Sequence, residues 1–205
     1  MTDTELEIAS IHEAAHAVFA RYFQWSILKS IEIGVGDPIA GQCWPVLPRS
    51  KRISNRAARK NPALLLPSCE QKALILSAGP MAQELYCGAP AFFGSSEDMI
   101  ELVAVGEVVA RILCEIQNDR SEYGSFHTKF IENVVQVTWR MLNDAEIRDT
   151  VHIVAKRLRE SGSIKGRAAR VLIDRHLREM QTVFGSFDAD GHFPDQMSSA
   201  AHDRE

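Results

Sequence analysis

The 205-residue chain lacks any apolar run of about 18 residues, which leaves no segment to read as a membrane-spanning helix. Its amino terminus, MTDTELEIAS, is acidic and polar, without the basic flank and apolar stretch of a signal peptide. A cytoplasmic protein is therefore the expectation. Cysteine is scarce and scattered: Cys43, Cys69, Cys87 and Cys114 form no CxxC pair, which argues against a disulfide framework and against a cysteine zinc site. No GxxxxGK[ST] stretch occurs, so the sequence offers no phosphate-cradling loop for ATP. Excess charge of one sign is also small. A net charge of -4 gives no general attraction to nucleic acid, and no nucleic-acid partner is expected.

What is present is an ordinary globular composition, with 45% apolar and 24% charged residues. Residues Thr4 to Phe23 place Ile8, Ile11, Ala15, Val18, Phe19 and Tyr22 at helical spacing, which predicts a helix with one buried face. The stretch from Leu28 to Val46 is β-branched and cut by Gly and Pro, and predicts two or three short strands. Residues 48–62 are dense in Arg and Lys and read as a solvated loop, with a nucleic-acid or partner-docking patch as the rival. Helical periodicity resumes at Ser68 and runs to Gly88. Pro80 within it predicts a kink, or two helices end to end. Further helices are expected over 97–117, with Ser95 or Ser96 as cap, and over 126–142, 144–160 and 165–184. The expected fold class is thus mainly α (α+β), with a small sheet near residues 28–46. One domain would span 1–184, followed by a polar, acidic tail over 185–205 that is expected to be disordered.

The chemistry sits in SIHEAAHAVFARYF, residues 10–23. Residues four apart on a helix lie one above the other, so His12 and His16 can converge on one metal ion. Glu13 is one residue round from His12, close enough to reach a water on such a metal without binding the metal itself. Catalytic zinc commonly keeps three protein ligands, so a third must come from elsewhere. The extended HExxHxxGxxH pattern does not supply it, because Phe19 stands in the glycine's place and Phe23 near that of the last histidine. Asp98 and Glu84 are the candidates on helices expected to pack against the first. Asp98 has a rival role, since Ser95-x-x-Asp98 resembles a capping box. His127, His152 and His176 sit singly on late helices and read as structural or surface residues.

HEAAHAVFARYF, IAGQCWPVLP, LILSAGPMAQELYCG and GSSEDMIELVAVGEVVARIL, in that order, resemble the zinc peptidase domain of the FtsH-type membrane-anchored AAA+ proteases. LRESGSIKGRAARVLI resembles that family's closing block, and the resemblance covers most of residues 5–178. It implies a helical, zincin-like fold with His12, His16 and Asp98 holding Zn2+ and Glu13 as catalytic base. Glu84 matches a glutamate that is not a family ligand; a role orienting a histidine is its expected use. Ala15 and Pro80 depart from the family's glycine and arginine, and neither the AAA+ module nor the membrane anchor is matched. The expected activity is an ATP-independent zinc metalloendopeptidase acting on unfolded or flexible protein, with a separate unfoldase or adaptor as partner. A homo-oligomer is compatible with the resemblance. The alternative is a catalytically inactive peptidase-like domain that binds protein.

Overall fold

The computed structural model describes residues 2–34, 41–47, 52–90 and 97–177. Helix α1 (Asp3–Tyr22) begins in a capping box. The Thr2 hydroxyl accepts from the Glu5 N–H at 3.2 Å, and the Thr2 N–H donates to the Glu5 carboxylate at 2.8 Å. Two orphan donors of the first turn are satisfied in this way. The sequence predicts one buried face for this helix, yet almost every residue from Ala9 to Ala20 is buried. The cause is the run of alanines, Ala14, Ala15, Ala17 and Ala20, all fully buried. Their small side chains let α3 (Leu66–Cys87), α6 (Ala145–Ser161) and the sheet all pack against α1.

The sheet has three strands in the order β2-β1-β3, with β1 (Ser26–Ile33) between β2 (Gly41–Val46) and β3 (Ser163–Lys165). Both pairings are antiparallel, and Ile31 faces Cys43 on one side and Ile164 on the other. The strands near 28–46 thus form as expected, whereas β3 corrects the sequence reading. Its three residues are too few to show alternation, and what holds them is burial of Ile164 and pairing to β1.

Three further corrections concern helices. The basic stretch contains a short helix, α2 (Asn55–Lys60), capped by the Ser54 hydroxyl and without a buried residue. A single 3-10 turn, Pro62–Leu65, then leads into α3. Of the two outcomes expected at Pro80, a kink or a division, the division does not occur: helix α3 runs unbroken from Leu66 to Cys87. Its neighbours hold it on both sides, since α1, α4 (Glu97–Gln117) and α5 (Tyr123–Asn143) all pack on it. Helix α7 (Gly166–Asp174) stops ten residues short of the predicted end, and only a turn to Leu177 follows it in the described chain. Helix α6 ends at Ser161 and is capped by Gly162, whose φ of 70° is left-handed and costs a glycine little. Residues 178–205, which include the expected tail, and the capping candidates Ser95 and Ser96 lie outside the described residues.

The fold is mainly α with a small antiparallel sheet. A single hydrophobic core joins Phe19 and Phe23 of the first segment to Leu74, Leu102, Phe130 and Leu158 of later helices. No helix among the described residues is long and apolar enough to cross a membrane.

Candidate metal centre

Helix α1 presents His12 and His16 from successive turns toward α3 and the start of α4. Their ring centroids are 4.7 Å apart with planes inclined at 75°, so the two Nε2 atoms meet at 3.1 Å. Asp98, in the first turn of α4, brings its Oδ2 to 3.1 Å from His12 Nε2 and 3.2 Å from His16 Nε2. The positive end of the α4 dipole favours a carboxylate at that place. Three ligand-type atoms, from residues spread over 86 positions of the sequence, thus form one nearly equilateral triangle.

The proton positions follow from the far side of each ring. His16 Nδ1 lies 2.7 Å from the carbonyl oxygen of Ile75, which can only accept, so Nδ1 carries the hydrogen. His12 Nδ1 donates to Gln83 Oε1 at 3.3 Å. The Gln83 amide is held in that sense by its NH2 group, which donates to the Pro90 carbonyl at 3.4 Å. With both Nδ1–H groups engaged, neutral rings turn two Nε2 lone pairs and a carboxylate oxygen toward one point. Three acceptors without a donor repel one another, and a cation among them, or a proton on one of the rings, removes the conflict.

A zinc ion fits this donor set. At bond lengths of about 2.0–2.1 Å, ligand atoms on a tetrahedron lie about 3.3–3.4 Å apart, close to the spacings here. Room for the rings comes from Gly79 on α3. A Cβ at Gly79 would lie 2.8 Å from both Cδ2 and Nε2 of His12 and closer still to His16 Nε2. Among the described residues, His12, His16 and Asp98 are the group of metal-type side chains close enough to share an ion.

The electrostatics show the same need for positive charge. Burial alone pushes His16 down, but the Asp98 carboxylate beside it, then Glu13 and the Ile75 carbonyl, raise its pKa to about 9. Burial pushes Asp98 up, and the two histidines outweigh it, holding the carboxyl well below its ordinary range. In the metal-free chain a proton on His16 does what a divalent ion would do. Glu13 is 5% exposed and takes no place in the triangle. Burial raises its pKa above the ordinary glutamate value; the two histidines and the Cys43 backbone N–H oppose that rise, and Asp98 adds to it. The same contact from Cys43 ties Glu13 to β2.

The histidines and aspartate singled out in the sequence therefore come together, and Glu84 does not join them. Its side chain is exposed on α3, and the neighbouring Gln83 turns inward to hold His12. Gln83, the Ile75 carbonyl and a site role for Gly79 are absent from the sequence reading. Gly79 was the signal that could have found them, since a glycine inside an apolar helix costs about 1 kcal/mol against alanine and marks a close approach. His127 donates to the Val103 carbonyl at 3.4 Å, and His152 and His176 are exposed. No family model matches the chain, and no curated protein matches it.

Proposed function

We propose that this chain is a zinc-dependent endopeptidase. The observation that carries the reading is the triangle of His12, His16 and Asp98 with a buried carboxylate, Glu13, on the same helix. Zinc held there would polarise a scissile carbonyl and acidify the attacking water. His16 Nδ1 and His12 Nδ1 keep their hydrogens on Ile75 and Gln83, which leaves both Nε2 lone pairs available to a metal ion. Glu13 takes the proton of the attacking water on its carboxylate and passes it to the departing amine nitrogen. Its raised pKa suits that exchange, because a carboxylate too acidic is a poor base near neutrality. Strand β2 is an outer strand of the described sheet, and an extended substrate added along it runs past the Cys43 contact to Glu13.

Two histidines and one carboxylate are also the set used by iron(II) oxygenases. Glu13 favours hydrolysis over that use, since oxygen chemistry needs no buried base beside the ligands. The proposal is tested with zinc-loaded protein and an unfolded substrate such as reduced, alkylated casein. Glu13→Gln keeps the metal and slows cleavage by a factor of about 100–10,000, the span removed with a general base. Cleavage by Glu13→Gln at the parental rate would refute the assignment. Zinc binding without cleavage by either protein would favour the inactive, protein-binding alternative.

A further inference from the structure

A groove of about 760 Å3 runs where α6, β3 and α7 meet, on the side of the sheet away from β2. Ile153, Ile164, Val171 and Leu172 line it with apolar surface, and Val171 is 42% exposed. The other lining is almost wholly basic: Lys156, Arg157, Lys165, Arg167 and Arg175, with Glu160 as the single acid. Arg157 pairs with Glu160 at 3.5 Å. Among the described residues the other four cations make no ion pair, and they leave a strong local positive charge beside an uncovered apolar surface.

The matching chemistry lies in the same chain. Residues 185–205 carry five carboxylates, Asp188, Asp190, Asp195, Asp203 and Glu205, against one cation, Arg204. Phe187, Phe193 and Met197 are spaced among them. The net charge of this segment, -4, equals that of the whole chain, so the remainder is balanced overall while its groove is basic.

We propose that the groove of α6, β3 and α7 is the docking site of the chain's own segment 185–205, carboxylates on the basic rim and aromatic side chains on the apolar floor. Connectivity favours this occupant over an acidic peptide from another protein. Arg175 lines the groove and the described chain ends two residues later at Leu177. The seven residues from 178 to 184 can span about 25 Å when extended, enough to lay the segment along the groove in either direction. A short tether gives an effective concentration of order 1 mM, which a free peptide at micromolar concentration does not match. Docking also covers β3, an outer strand of the described sheet, whose open side would otherwise invite pairing with other chains.

Hydrogen exchange by quench flow on the full chain, at physiological ionic strength, tests the proposal. The expected result is that amides of 185–205 exchange about 10-fold more slowly than in a synthetic peptide of the same sequence. That factor corresponds to a Kd in trans about one tenth of the effective concentration. Protection should be lost in a chain carrying Asp188→Asn, Asp190→Asn and Asp195→Asn, changes that leave the described fold untouched. It should also be lost with Arg167→Glu plus Arg175→Glu, and should return when that pair is combined with Asp188→Lys and Asp190→Lys. Exchange at the free-peptide rate in the parental chain would overturn the proposal. So would protection that fades on dilution, which marks a second copy's segment, or protection of the groove that needs added acidic peptide or phosphatidylserine vesicles.

Discussion

Replacing Gly79 by alanine isolates the fit between α3 and the two imidazoles. The added Cβ would stand 2.8 Å from His12 Nε2, against 3.4 Å for the near limit of ordinary contact. His12 must therefore retreat by about 0.6 Å, several times the roughly 0.2 Å that metal–ligand distances tolerate. His16 meets the Cβ more closely and has less freedom, because it is 5% exposed and its Nδ1 is fastened to Ile75 at 2.7 Å. Two effects oppose each other in the metal-free chain. Alanine gains about 1 kcal/mol in helix propensity over glycine, while overpacking a tight site costs about 1–3 kcal/mol. Metal-free stability should thus change by no more than about 2 kcal/mol, so the variant folds. Zinc affinity has no such compensation and should fall at least 10–100-fold, the loss seen when ligand orientation is disturbed. The assay is competition with a chromophoric chelator, alongside circular dichroism to verify the fold. Gly106→Ala is the control, since its Cβ would crowd His127 at 3.0 Å and touch no proposed ligand. Parental zinc affinity in Gly79→Ala would refute the reasoning.

Gln83→Leu removes the acceptor of His12 Nδ1–H and should weaken zinc about 10–100-fold, whereas Glu84→Ala, at an exposed position, should leave it unchanged; chelator competition on both variants distinguishes them. Asp98→Ala removes the single carboxylate of the triangle and should reduce bound zinc below one per chain after dialysis, as read by atomic emission. The metal-free protein should show a pH window. The raised pKa of His16 contributes stability that is complete below 6.5 and is lost as pH rises through about 9. The lowered pKa of Asp98 contributes stability present above 3.8 and lost as pH falls below it. The melting temperature in excess chelator should therefore be highest between these limits, and a continuous rise toward pH 9 would contradict the His16–Asp98 pairing. With zinc the acid side should steepen, because protons then compete with the ion for His12 and His16.

The sequence carried the local parts of this structure well and the relational parts poorly. A 3.6-residue period was enough for α1, α4, α5 and α6, since each is long and its buried positions recur. The full burial of α1 was not legible, because an alanine shows no preference between solvent and a close helix contact; only the elements around it decide. Strand β3 was missed for a related reason: three residues have no period, and Ile164 becomes a strand residue only when Ile31 is beside it. In the site, HExxH fixed which atoms of α1 converge, and acidity plus helix placement made Asp98 a candidate. The choice between Gln83 and Glu84 as partner of His12 turned on about 100° of helix rotation, which spacing alone does not set. The carbonyl of Ile75 belongs to the backbone and has no residue-type signal at all.

The claim beneath the proposed function is that two imidazoles and one carboxylate surround a divalent ion and leave a position open. X-ray absorption at the zinc edge on the protein loaded with one equivalent measures this directly. The account predicts two histidine nitrogens and light oxygen ligands at about 2.0–2.1 Å, with one oxygen lost in Asp98→Ala. A sulfur ligand near 2.3 Å, or a spectrum unchanged by Asp98→Ala, would contradict it.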